Sequence, residues 1–391
     1  MIIFGAGVVG EATMRACRKK NLPIQFIVDH RVKGDLDGVP IVRLDDVGER
    51  GEVLQFLLTS PNIQDMIRPL EAKGFQNWAS CGTVLKDFDI SSVDWGHTGY
   101  STEHVKYLVR TALHHHDNYL KPELLTVQSD DIVITEKCTM KCKDCSNLMQ
   151  YYENPENQEL NEVLGSIDDL CSRMDEIYEM RVIGGEPFVN KEIHLIVDKL
   201  TSQEKIKKVS IFTNATVVPK DTQWAALSHP KVRFFITDYK EKSRNIKPLI
   251  EALEERKISY VSEEANDWTE CASLEQQFRT PEGNAKLFDA CCAKNLATVM
   301  DGRLYRCPFS AHATKLRALP NYTDDYLVLS QTNSKEIGAF LRGRPFINAC
   351  DHCNGRSYGD VLIEPAIQTK VPLKYRKFDL KDVRGALPQP N

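Results

Sequence analysis

No run of 18 or more apolar residues occurs in the 391-residue chain, so no segment reads as a membrane-crossing helix. No long block of lysine or arginine occurs either. The 50 basic and 55 acidic side chains leave a net charge of −5, a mixed surface with no pull toward nucleic acid or anionic lipid. The first residues, MIIFGAGVVG, lack the basic and cleavable parts of a secretory signal, so the expected location is the cytoplasm. Internal repeats and low-complexity tracts are missing too. Against these absences stands a surplus of twelve cysteines. In a reducing compartment thiols rarely pair, so each calls for a metal, catalytic or core role.

The pattern is α/β throughout. Residues 1–92 read as a small doubly wound unit: Ile2 to Phe4 as a strand, the turn Gly5-Ala6-Gly7-Val8-Val9-Gly10, a helix to about Lys20, then a strand ending at Asp29. Further apolar runs follow at Pro40 to Val42 and Val53 to Leu58. Gly5, Gly7, Gly10 and Asp29 fit a fingerprint in which a phosphate meets the helix amino end and the carboxylate meets a ribose. A module kept only for packing or oligomerisation remains the alternative. Residues 93–128 read as a helical connector, and the histidines of His114 to Asp117 point different ways around a helix, which disfavours a shared metal. From Asp131 the runs DIVIT, MRVIG, KVSIF, VRFFI and KISYV alternate with helical periods, as in a parallel sheet or barrel over 129–288. Leu160, Val163, Leu164, Ile167, Cys171 and Met174 recur at helical spacing, which makes Cys171 a core thiol.

The stretch CTMKCKDC, Cys138 to Cys145, carries three thiols with no fourth Cys or His nearby. Chance gives that spacing in about one such chain in a hundred. A structural zinc site wants four protein ligands, whereas a cubane iron-sulfur cluster on three thiolates keeps one iron open. The loop follows DIVIT and resembles the CxxxCxxC loop of the radical S-adenosylmethionine (radical SAM) enzymes. Three later strand ends agree in order: Gly184-Gly185-Glu186-Pro187, then Thr213-Asn214, then Thr237-Asp238. The resemblance implies a partial (β/α)6 barrel in which Cys138, Cys142 and Cys145 hold a [4Fe-4S] cluster and the three strand ends bind SAM. The 5′-deoxyadenosyl radical made there would abstract a hydrogen atom from substrate. Asp144 departs from the aromatic residue many relatives carry before the last cysteine.

Residues 289–391 hold a second set of thiols: Cys291, Cys292, Cys307, Cys350 and Cys353. Asp301-Gly302 between short apolar runs signals a type I′ hairpin that folds this stretch back on itself. The pattern resembles the auxiliary-cluster domains of radical SAM enzymes, in the one-cluster Twitch form of the SPASM family. That implies a second [4Fe-4S] cluster on Cys307, Cys350, Cys353 and one of the adjacent pair, Cys292 by a small margin; a Cys₄ zinc site is the alternative. The amino-terminal module resembles the nucleotide-sugar-binding domain of polysaccharide-biosynthesis enzymes. Together these imply hydrogen abstraction from a nucleotide sugar with a flavodoxin- or ferredoxin-type reductant. Epimerisation would use Cys271 or Cys291 as hydrogen donor. Dehydrogenation of a hydroxyl, peptide maturation and a non-catalytic scaffold are the competing readings.

Overall fold

The computed structural model describes residues 1–48, 54–266, 268–357, 360–379 and 381–384. The expected strand start at Val53 and the tail from 385 onward lie outside the described residues. The chain divides into two compact units, Met1–Leu124 and Leu125–Asn391. No helix among the described residues is long and apolar enough to cross a membrane.

Unit one is built on β1 (Ile2–Phe4), β2 (Phe26–Val28), β3 (Gly34–Leu36), β4 (Val39–Val42), β5 (Phe56–Leu58) and β6 (Trp78–Ser80). They form one sheet in the order β3-β4-β2-β1-β5-β6, parallel except for the β3/β4 pair. Central β1 is wholly apolar and buried, as a strand covered on both faces must be. The helix Val8–Lys19 follows it directly. The stretch expected as a connector contains the helix Thr102–Tyr119, whose Val105 and Val109 share a core with Ala12 and Ala16. Within it both ring nitrogens of His116 are engaged, Nδ1 with Ser80 Oγ and Nε2 with the Ser60 carbonyl, each at 2.7 Å.

Unit two begins with β7 (Thr126–Thr135), β8 (Glu176–Gly184), β9 (Ile206–Thr213), β10 (Val232–Asp238) and β11 (Ser259–Glu264). Successive members are parallel, with helices Leu160–Arg173, Ile193–Ser202, Trp224–Leu227 and Ile246–Glu255 between them. Alternate residues such as Ile134, Val182, Ile211 and Phe234 meet Ile167, Ile196, Leu249 and Leu253 of those helices in one core. Each fully buried Ile or Leu there stabilises the unit by about 1.5–3 kcal/mol. The next strands are β12 (Trp268–Thr269), β13 (Leu296–Met300), β14 (Arg303–Tyr305), β15 (Asn321–Tyr322) and β16 (Tyr326–Val328).

Five barrel strands therefore follow one another in order, and the sixth parallel strand, β13, joins the opposite edge beside β7. The stretch expected to open a separate carboxyl-terminal domain thus extends the barrel sheet. Asp301 and Gly302 both have positive φ, 50° and 66°, as the type I′ turn between β13 and β14 requires. The hairpin folds Cys307, which caps the helix Pro308–Lys315, back toward the start of β13 and so toward the Cys291-Cys292 pair that precedes it.

Candidate active site

Every expected barrel motif lies at the carboxyl end of a strand, where side chains of a parallel sheet converge. Cys138 follows β7, and its loop lies so close to the end of β8 that only glycine fits there. A Cβ on Gly184 would come within 2.3 Å of the Thr135 carbonyl, and one on Gly185 within 2.3 Å of the Lys137 carbonyl and 2.6 Å of Cys138 Cβ. The backbones pair instead: Gly185 N–H donates to Thr135 and Glu186 N–H to Lys137. The Cys138 sulfur accepts from the Met140 N–H at 3.4 Å and from Asn214 Nδ2 at 3.9 Å. Such donors stabilise a thiolate and tune any cluster it holds.

A strand-like strap closes the other side of the loop. Cys142 bridges Gln368, Lys143 N–H donates to Ile367, Thr369 N–H to Lys141, and Gln368 Nε2 to the Met140 carbonyl. Ala366 of the strap is buried against Met140 and Cys142. Burial pushes the Cys138 thiol up to about 11 and the Cys142 thiol up to about 12. A cationic cluster core offsets that cost by binding thiolates directly.

Glu186 is fully buried, and its carboxylate accepts from Thr213 Oγ1, Asn214 N–H and Phe188 N–H at 2.9–3.2 Å. Burial lifts its pKa to about 7. The cavity wall at this turn is Gly184 and Gly185, while the Glu186 side chain locks the end of β9; Pro187 opens the short helical turn behind it. Thr213, Asn214 and Thr237 line the cavity. Asp238 points elsewhere, accepting from Lys240 N–H in its own turn.

The second thiols approach the same cavity. Cys307, Cys350 and Cys353 are each within electrostatic reach of Cys291. The sulfurs of Cys291, Cys307 and Cys353 accept backbone N–H groups from Ala293, Ser310 and Gly355, at 3.2–3.5 Å, repeating the pattern at Cys138. Cys292 departs from it: its thiol donates to Cys291, which lowers the Cys291 pKa and raises its own. Among the described residues no three or more His, Cys, Asp or Glu side chains meet the spacing of a single metal ion.

The loop carrying Cys350 is fastened by Asp325, 2% exposed, whose carboxylate accepts from Asn348 N–H, Asn348 Nδ2 and Ala349 N–H at 2.8–2.9 Å. Asp325→Ala strands three buried donors, each costing about 1–3 kcal/mol. The expected result is a loss of about 3 kcal/mol or more in stability together with lower iron retention, read by denaturant melts and iron assay. Unchanged values of both would refute this fastening role.

One cavity of about 590 Å³ collects Cys138, Cys142 and Cys145 with Cys271, Cys291, Cys292, Cys307 and Cys353. Its volume falls in the usual range for small-molecule sites. Sequence reasoning missed four further wall residues: Arg181, Tyr239, Trp268 and Arg356. Arg181 lies 4.7 Å over the Phe212 ring and pairs with the buried Asp131 at 2.7 Å. Tyr239 packs edge-on to Trp268 beside Cys142. The alternation of charged and apolar residues on β8 is the one signal that marks Arg181 as facing away from the helices.

In unit one, Gly5 has φ +107°, and a Cβ on Gly10 would overlap the Gly5 carbonyl at 1.9 Å, while Gly7 has nothing within 4 Å. Of the three glycines, Gly7 is thus the one that faces open space. Asp29 is already engaged: it accepts from Ala6, Arg31 and Val32 N–H groups, which hold its pKa below the ordinary value although burial opposes them.

No curated protein matches this chain. Among solved structures, BtrN in complex with AdoMet and 2-DOIA is similar at 13% identity and TM-score 0.40, over 56% of this chain and 84% of that one. Native anSMEcpe with bound AdoMet is similar at 13% and TM-score 0.38, over 54% and 79%. Streptococcus suis SuiB is similar at 16% and TM-score 0.31, over 56% and 52%. Residues 132–236 match the family model of the Radical SAM superfamily. The matched stretch runs within β7 to β10, and the three-cysteine loop, the Gly-Gly turn and the Thr-Asn strand end all lie within it.

Proposed function

We propose that this chain is a radical SAM enzyme that inverts one carbon centre of a carbohydrate, carried on a nucleotide. The observation that carries this reading is a thiol, Cys271, on the wall of the cavity that also holds the three-cysteine loop. Cys138, Cys142 and Cys145 would hold the first [4Fe-4S] cluster, and Gly184, Gly185, Thr213 and Asn214 would line the SAM site. For the second [4Fe-4S] cluster we assign Cys291, Cys307, Cys350 and Cys353. Cys291 replaces the sequence choice of Cys292 because it shares their N–H donor pattern and their proximity. Bound there, the first cluster and SAM would supply the radical that removes a hydrogen atom from the substrate.

The chain's own residues do the rest. Trp268 and Tyr239 offer apolar surface to the C–H face of a sugar, and Thr237 and Arg181 offer polar partners. Cys271 would then give its thiol hydrogen to the substrate carbon radical from the other face. Its S–H bond breaks, a C–H bond forms, and the sulfur radical left behind is restored to a thiol by one electron from a flavodoxin- or ferredoxin-type reductant and one proton from solvent. The nucleotide link rests on the resemblance of residues 1–92 to a nucleotide-sugar-binding module, which points to the substrate class without placing the handle.

The test is an anaerobic reaction with SAM, dithionite and a panel of nucleotide sugars in deuterated water. Deuterium at one inverted carbon, with 5′-deoxyadenosine, is the expected result. A keto-sugar without deuterium would instead mean dehydrogenation, which the second thiol set in the same cavity also suits. Cleavage of SAM with peptides alone would overturn the carbohydrate class.

A further inference from the structure

A second cavity, of about 670 Å³, adjoins the first in unit two. Asp144 lines both, and the chain passes from Cys271 on one wall to Ala272 on the other. Two of its sides differ in charge: Lys143, Lys374 and Arg376 lie on the loop and strap side, while Glu270 and Glu275 lie on the segment leading away from β12.

One lining residue is anomalous. Phe278 is 81% exposed and has φ +55°, a left-handed conformation costly for an aromatic residue. It is held from both sides, since Arg279 N–H donates to the Asp351 carboxylate and Gln277 N–H to the Asp351 carbonyl. An exposed ring on a backbone held fixed from both sides at a cavity wall offers a flat ligand a surface for stacking.

We propose that this cavity binds the nucleoside diphosphate part of the substrate while the sugar lies beside Cys271. The proposal rests on the nucleotide-sugar reading above and places the handle in unit two, away from the glycine turn of unit one. The base stacks on Phe278, a contact of about 1–3 kcal/mol for an aromatic side chain and a base. The diphosphate meets Lys143, Lys374 and Arg376, and the ribose hydroxyls donate to Glu270 or Glu275. SAM occupies the first cavity at the same time, so the sugar reaches past Asp144 into that cavity while the base and diphosphate stay in the second.

The test is titration calorimetry of the full, cluster-loaded chain with UDP, GDP and CDP in the presence of SAM. Phe278→Gly should weaken binding by roughly fivefold to a hundredfold while leaving the melting temperature unchanged or higher, because glycine accepts the positive φ without strain. The exposed double variant K374E/R376E should weaken binding by about tenfold or more, less so at high salt. Gly7→Leu, which meets empty space in unit one, should bind as the parent does. Loss of binding in Gly7→Leu, with the other variants unaffected, would overturn this placement and keep the nucleotide-sugar reading. If no diphosphate binds and SAM cleavage is stimulated by free sugars or peptides, the nucleotide-sugar reading itself fails.

Discussion

Alanine at any one of Cys138, Cys142 or Cys145 should remove half of the bound iron and all SAM cleavage. The loop offers no fourth thiol: Cys271 belongs to another segment, and the buried Glu186 carboxylate is committed to Thr213, Asn214 and Phe188. The loop's backbone stays fixed in such variants, because the Gly-Gly turn and the strap hold it by main-chain bonds that no cysteine makes. The protein should therefore remain folded and keep the second cluster. Cys291→Ala should give the complementary result, losing the other half of the iron, and Cys292→Ala should lose none. Iron and sulfide assay with low-temperature EPR of the reduced proteins checks all three. Full iron in Cys291→Ala with loss in Cys292→Ala would restore the sequence choice.

The adjacent pair illustrates what one dimension holds. The spacing of Cys350 and Cys353 and the Asp-Gly turn are local, and both are legible because each is set within a few residues. The choice within Cys291-Cys292 depends on which sulfur faces the Ala293 N–H and the distant Cys307 and Cys350, so both thiols read alike in sequence. The barrel strands were legible for a related reason: parallel strands buried on both faces read as short apolar runs. The pairing of β13 with β7 joins segments more than 160 residues apart, and no periodicity encodes it.

The strap was equally silent. Residues 367–369 have neither helical nor strand period, and their extended form comes from main-chain bonds to the three-cysteine loop. Trp268 and Arg356 carry no motif, and they become wall residues only once the strand ends converge. The glycines of the barrel, in contrast, were legible as sites of close approach. The structure adds that Gly185 makes room for Cys138 itself, and that the neighbouring carboxylate turns inward to hold β9.

Cys271→Ala should separate the two halves of the proposed reaction: 5′-deoxyadenosine still forms with the nucleotide sugar, while inversion and deuterium uptake fall by roughly a hundredfold or more. Cys271 is 4% exposed and its thiol is raised in pKa by burial, so it stays protonated at neutral pH, the state from which a hydrogen atom can be given. Its backbone carbonyl lies 3.6 Å from the Cys353 sulfur, a main-chain contact that alanine keeps. Losing one buried sulfur atom costs about 1 kcal/mol, too little to unfold the protein, so the readout is chemical. Cys292→Ala serves as the control, because Cys292 also lines the cavity but is exposed and donates to Cys291. If Cys271→Ala still inverts its substrate with deuterium uptake and Cys292→Ala does not, the donor is Cys292. If neither variant changes the product, no thiol of this wall closes the reaction, and oxidation to a ketone becomes the reading to pursue.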